Sequence, residues 1–282
     1  MFTACGEDFF STTLKVDPPP HEDQLVLQSF LKSNDSLLYF SLSKSVGILE
    51  TQNSTISFIS DAVIEVYEDG ELKYEPTLSS STPFNFGVVL DEPLNGIGKT
   101  YEVRVTHDSL GTISGSQQMP AAPNLVSATF DEDGGIDIDF GDEAHAIDLV
   151  MLDPPNVKNY YEVILARYST ISGELGNDYY IYSNDFSASE GVHEYLLVDD
   201  ASFDGQEYTF RFETSKDWQD DLYVVVRSVT EDWYLYSKSL ERFQVTQDFQ
   251  LFSEPVTVHT NIENGLGVFG MATQGLVKVD LE

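Results

Sequence analysis

The segment KTYEVRVTH, residues 99–107, alternates without a slip. Tyr101, Val103 and Val105 fall on one side of an extended chain, with Glu102, Arg104 and Thr106 on the other, because successive side chains of a strand point to opposite faces. That period of two decides the fold class, since a helix would scatter the same residues around its circumference. It recurs. QLVLQSFLKSNDSLLYFSLSKSV reads as two strands around the polar turn Ser33-Asn34-Asp35-Ser36. AVIEVYEDGELKYEP reads as a hairpin closed by Asp69-Gly70, a pair suited to the positive φ of a tight turn. No helical period of useful length occurs before residue 120. Short strands at this spacing predict a small β-sandwich over residues 24–121.

MPAAPNLVSATF marks a boundary, because Pro120 and Pro123 withhold ladder donors and a new strand begins near Leu125. Beyond it LVSATF, GIDIDF, NYYEVILARYS, DYYIYSN, EYTFRFE and DLYVVVRSVT are again strand-like. The last carries apolar residues on both faces, as a central strand covered on each side would. One segment, TEDWYLYSKSLERFQ, breaks the pattern. Thr230 is placed to cap a helix, Glu231 and Asp232 suit its first turn, and Trp233, Tyr236, Leu240 and Phe243 recur at helical spacing. Arg242 then stands near the C-terminal end, where a cation suits the dipole. The expected fold is mostly β: two tandem immunoglobulin-like or transthyretin-like sandwiches, residues 24–121 and 122–282, with one short late α-helix near 231–244.

The run FSEPVTVHTNIENGLGVFGMAT is the most unusual stretch of the second half. Gly265, Gly267 and Gly270 are too many glycines for an ordinary strand interior, and glycine there marks a bulge or a close backbone approach. With Asn261 and Asn264 they define a segment that is either a kinked last strand under the helix or a tight contact with a partner chain or ligand.

Charge sets the class of partner. The chain has 14 Lys+Arg against 48 Asp+Glu, a net charge of −34. Such a surface repels phosphate backbones and anionic headgroups, which excludes nucleic acid and electrostatic adhesion to a membrane. It is either simply well solvated or attractive to cations and basic partners. No stretch approaches the roughly 20 apolar residues that a membrane-spanning helix needs. Cys5 is the single cysteine, so there is no internal disulfide.

Phe2-Thr3-Ala4-Cys5-Gly6 resembles the end of a bacterial lipobox, where small residues precede a cysteine that becomes a lipidated N-terminus. Several acyl chains on one residue give stable anchoring where one chain would be marginal. The charged and apolar regions of a signal peptide do not precede Met1, so the start is trimmed or Met1 ends the apolar region. The alternative is a free thiol near the N-terminus. Glu7 and Asp8 resemble the acidic signal that sends lipoproteins of Bacteroidota to the outer face of the outer membrane. Pro18-Pro19-Pro20 favours extended geometry, so residues 1–23 read as lipobox remnant and tether.

Taken together, Cys5, DAVIEVYEDGE, GKTYEVRV leading to MPAAP, DPPNVKNYYEVILARYS, the late aromatic helix and NIENGLGVFGMAT resemble a family. It is the uncharacterised lipoproteins of Bacteroidota catalogued as domain of unknown function four-two-four-nine. The similarity covers nearly the whole chain, and its last run is the most specific. The resemblance implies a lipid-anchored, mostly β protein of the outer membrane, facing the cell exterior. It further implies work beside an outer-membrane β-barrel, such as a receptor driven by the energy-transducing protein TonB, in ligand capture or barrel capping. The family supplies no catalytic residues to carry over.

The residues themselves show no local catalytic signature. His21, His107, His145, His193 and His259 are scattered and form no HExxH pair, and there is no G-x-S-x-G elbow or Walker loop. DEDGGIDIDFGDE, from Asp131 to Glu143, invites calcium, but glycine falls at the fifth position and not the sixth, so it is no EF-hand. Asp131, Asp133, Asp137 and Asp139 are candidates for an irregular cation site, although alternate acids are also the ordinary solvent face of a strand. The loop acids Asp199, Asp200 and Asp204 read the same way. Trp218, Trp233 and the tyrosine clusters offer stacking surfaces for sugars, although alternation places most of the tyrosines in or near the core. The expected function is a non-enzymatic accessory lipoprotein without a cofactor, with a surface glycan- or cation-binding module as the alternative and a hydrolase, whose Ser-His-Asp parts would converge only in space, as a third reading.

Overall fold

In the computed structural model each alternating segment of the first half is a paired strand, and the eight-residue strands that open it and the KTYEVRVTH strand turn their apolar side inward. The structure describes residues 21–47, 56–80, 84–136, 143–168, 175–176, 179–189, 194–214, 221–248 and 256–281. Cys5, Glu7, Asp8, Asp137, Asp139 and the run Pro18–Pro20 lie outside the described residues.

The first sandwich is built from β1 (Leu25–Lys32), β2 (Leu37–Lys44), β3 (Val63–Glu68), β4 (Glu71–Tyr74), β5 (Thr77–Leu78), β6 (Phe86–Val89), β7 (Thr100–His107) and β8 (Gly111–Gln118). Its two layers run β1-β2-β6-β5 and β4-β3-β7-β8. Leu27, Phe40, Val66, Tyr101, Val103 and Ile113 fill the space between them. Each large apolar side chain so placed contributes about 1.5–3 kcal/mol of transfer free energy. The turns behave as their residues require. Asp69 and Gly70 both take positive φ, 50° and 85°, which matches the twist of the β3–β4 hairpin, and Asn34 does the same at 69° between β1 and β2.

The second sandwich comprises β9 (Asn124–Ile136), β10 (Glu143–Leu152), β11 (Tyr160–Tyr168), β12 (Leu175–Gly176), β13 (Ile181–Tyr182), β14 (Leu196–Asp199), β15 (Glu207–Thr214) and β16 (Leu222–Val229). After them come α1 (Glu231–Asp248) and β17 (Leu266–Asp280). The layer β13-β15-β10-β9 faces β14-β11-β16-β17 across Ile147, Leu149, Val163, Phe210, Phe212 and Val224. The two-sided apolarity of β16 has two covers on its outer face: Trp233 and Tyr234 of α1 pack with Tyr160, Val229 and Ala272, and Val225 packs with Ile164, Ala166 and Tyr195.

Strand β17 does not respect the division at 121/122. Its first half, Leu266 to Ala272, runs parallel to β1. Its second half, Ala272 to Lys278, runs antiparallel to β16, and Val279 reaches β9. Ala272 has Lys32 on one edge and Val229 on the other. Ile262, Phe269 and Met271 therefore lie in the first core, although they follow β9 to β16 and α1 in sequence.

The helix differs in detail from its sequence reading. It continues to Asp248, which leaves Arg242 six residues from the end. Its buried side chains are Trp233, Tyr234, Tyr236 and Ser237, whereas Phe243 is exposed. The Thr230 hydroxyl, expected as a cap, accepts the Met271 N–H at 3.3 Å, while its own N–H donates to Met271 O at 3.0 Å. The helix entry is thus stitched to β17.

Candidate functional site

The glycine-rich tail makes its close approaches to its own molecule. At Gly267, φ is 106° and an added Cβ would stand 1.9 Å from the Leu27 carbonyl oxygen, so only glycine lets β17 lie flush on β1. Gly270 faces Phe30 and Trp233, and Gly265 faces Ile113 and the Leu25 carbonyl. Asn264 takes φ 60°. The Asn261 amide closes the loop by accepting the Phe269 N–H at 2.9 Å and donating to Phe269 O at 2.8 Å. Glu263 exchanges two backbone hydrogen bonds with Ser114 of β8, at 3.3 and 2.7 Å.

This segment is one wall of a cleft of about 380 Å³ lined by Glu102, Ser114, Ser116, Asp232, Asn261 and Glu263. Asp232 holds three elements together there. One oxygen meets His259 Nε2 at 2.6 Å and the other accepts from Gln117 Nε2 at 2.5 Å. The lining is acceptor-rich, which suits hydroxyl- or ammonium-bearing molecules over anions.

The acidic stretch is served by a cation from within. Arg211 of β15 donates to Asp131 at 2.7 Å, to Asp148 at 2.8 Å and to the Gly134 carbonyl at 2.8 Å. Asp133 is exposed on β9. Beside Gly135 lies Glu213, 8% exposed, whose Oε2 has no hydrogen-bond partner. Burial lifts its carboxyl above the ordinary glutamate range, against the pull of Arg211.

A tighter carboxylate group sits at the opposite end of β10. Asp153, Asp200 and Asp204 each offer an oxygen, all within 4.8 Å of one another, and no other such group of three occurs among the described residues. Asp153 follows β10, while Asp200 and Asp204 belong to the turn between β14 and β15. The loops orient them. Asp153 accepts from the Tyr161 hydroxyl at 2.6 Å and the Gly205 N–H at 3.0 Å. Asp200 accepts the Asn159 N–H at 2.6 Å, and Asp204 the Asn156 N–H at 2.8 Å. Burial raises the Asp200 carboxyl, and its two acidic neighbours add to the rise. Each carboxylate retains lone pairs, so together with loop carbonyls the group could hold a hard cation such as calcium. Asp199 is turned elsewhere, to the Tyr234 hydroxyl at 3.1 Å.

Sequence reasoning named Asp200 and Asp204 but passed over Asp153, which nothing local distinguishes. The usable signal was its place at the end of a buried strand, directly before Pro154-Pro155. Of the aromatic candidates, Trp233, Tyr160, Tyr161, Tyr234 and Tyr236 are buried, so they are core rather than sugar platforms. Trp218 lies outside the described residues.

The family model described as Domain of unknown function (DUF4249) matches residues 11–276. No curated protein matches the sequence. Among solved structures, a DUF4785 family protein from Legionella pneumophila aligns at 13% identity and a TM-score of 0.24, over 72% of this chain and 51% of that one. The chain thus spans about half the length of that protein.

Proposed function

Because the chain belongs to the DUF4249 family of unknown function, we propose that it is a surface lipoprotein that serves as a non-enzymatic accessory to an outer-membrane complex. One observation carries this reading. The family domain begins at residue 11 and leaves the lipobox-like Phe2–Gly6 stretch, with Glu7 and Asp8, ahead of it. An acylated Cys5 followed by a proline-bearing spacer would present the two sandwiches as one unit, since β17 belongs to both. Anchoring raises the effective concentration of the body at the membrane, so a modest contact surface suffices to hold a partner such as a β-barrel receptor. Mass spectrometry of the native N-terminal peptide is expected to find acyl chains on Cys5, and a barrel should co-purify from detergent-solubilised membranes. A bare thiol on protein from intact cells would overturn the reading.

A second reading, a cation-binding module, is favoured by the Asp153–Asp200–Asp204 group. Calcium should raise the thermal midpoint of the wild type and leave that of Asp200→Asn/Asp204→Asn unmoved. Because protons compete for Asp200, the calcium effect should weaken as pH falls. An identical response in both proteins would rule the site out.

A further inference from the structure

The turn at residues 183–187 shows its phenylalanine to water. Phe186 is 83% exposed, the largest value for a large apolar side chain among the described residues. Yet the turn is braced on every side. One Asp185 oxygen accepts the Ser187 N–H at 2.9 Å and the Ser187 hydroxyl at 2.7 Å, and the other accepts the Tyr208 hydroxyl at 2.5 Å. Tyr208 in turn stacks on buried Phe203, with ring centroids 4.1 Å apart. Ser183 Oγ donates to Arg211 O at 2.5 Å and accepts the Asp185 N–H at 3.1 Å. Ser187 O accepts the Asp199 N–H at 3.1 Å. A phenyl ring left in water forgoes about 2–3 kcal/mol of burial. A turn already held in one shape lowers the ordering penalty of seating that ring in a partner.

The 183–187 turn rests on the 199–206 loop, and that loop holds the 153–157 loop through the Asp204–Asn156 and Gly205–Asp153 hydrogen bonds. Pro154, Pro155 and Val157 are exposed there. Hydrogen bonds thus join three loops into one tip of the second sandwich, and the first and third each carry exposed apolar side chains. The charge that these loops show to water is acidic: Asp204 is exposed and Asp185 and Asp199 are half-buried, with Asp153 and Asp200 buried behind them. The nearby lysine, Lys158, is drawn away to Glu231 at 3.3 Å and over the Tyr160 ring at 4.7 Å.

We infer that this tip is a protein-docking surface with Phe186 as its anchor, and that its partner is a protein presenting an apolar socket rimmed by lysine and arginine. The inference rests on the accessory reading and gives its contact a chemistry. Opposite charge on the rim steers the encounter and rejects acidic competitors, while the seated ring limits escape. A lipid surface does not fit, because Asp204, Asp185 and Asp199 would meet anionic headgroups.

Benzoylphenylalanine placed at position 186 of the full chain, in cells that make it, tests the inference by photo-cross-linking. The cross-linked partner peptide is expected to be apolar and flanked by Lys or Arg. The same group at Val89, 76% exposed on the first sandwich, should not mark that peptide. Phe186→Ser should keep the wild-type thermal midpoint and weaken partner binding at least tenfold. No cross-link, a cross-link to lipid, an acidic or wholly polar partner peptide, or undiminished binding by Phe186→Ser would each overturn it. A basic-rimmed partner outside the outer membrane would sink the accessory reading and leave the docking surface standing. A barrel that co-purifies equally with Phe186→Ser would do the reverse.

Discussion

Two residues carry their surroundings most visibly. Gly267 joins a positive φ to a 1.9 Å approach that any Cβ would block, so Gly267→Ala must either push β17 off Leu27 or strain both strands. A loss of about 3 kcal/mol or more is expected in denaturant unfolding, against a change within about 0.5 kcal/mol for an ordinary surface position. Glu213 works through protons. Its folded pKa lies above the ordinary 4.5, so its contribution is complete below that value and drains away as pH rises through the folded pKa. Glu213→Gln keeps the shape and cannot ionise. Melting curves should nearly coincide at pH 4 and show Glu213→Gln as the more stable protein at pH 8. Parallel curves at all pH values would show that Glu213 is charged and satisfied in the folded state.

Among the elements, the strands were legible because each needs only a period of two and a turn residue of suitable φ. KTYEVRVTH became β7 with Tyr101, Val103 and Val105 all inward, and Asp69-Gly70 closed the β3–β4 hairpin. The helix was legible in type but less so in contact. Which side of α1 is buried depends on Phe30 and Gly270, and neither lies near it in sequence. Trp233 meets Phe30 at 4.7 Å, while Phe243 faces water. Trp233→Ala should therefore lose about 3–5 kcal/mol and Phe243→Ala less than about 1. Equal losses would mean that the helix packs on its distal turns. The carboxylate group was illegible for a similar reason. Asp153 joins Asp200 and Asp204 through loop geometry that 46 intervening residues conceal.

At the scale of the whole molecule, the two sandwiches share a strand that the chain makes last. Pairing of β17 with β1 was beyond any local pattern, since a parallel ladder between residues 26–32 and 266–272 leaves no spacing signal. The first sandwich accordingly needs the far end of the chain: Phe269 and Met271 are 0% exposed within its core. Chain truncated after Asp248 should lose cooperative unfolding in both halves, as read by near-ultraviolet circular dichroism. A fragment of residues 21–121 should fail to fold alone. A sharp melting transition in that fragment would show that β17 is an accessory and not a component. The neighbours of β1 have one more consequence. Flanked by β2 and β17, it is the first strand from the amino end among the described residues. A pull along its axis from ahead of Leu25 would load both ladders in shear, with many rungs sharing the tension at once instead of unzipping singly. A body dragged through flow by its leading end would resist such a tug at the place where the force enters.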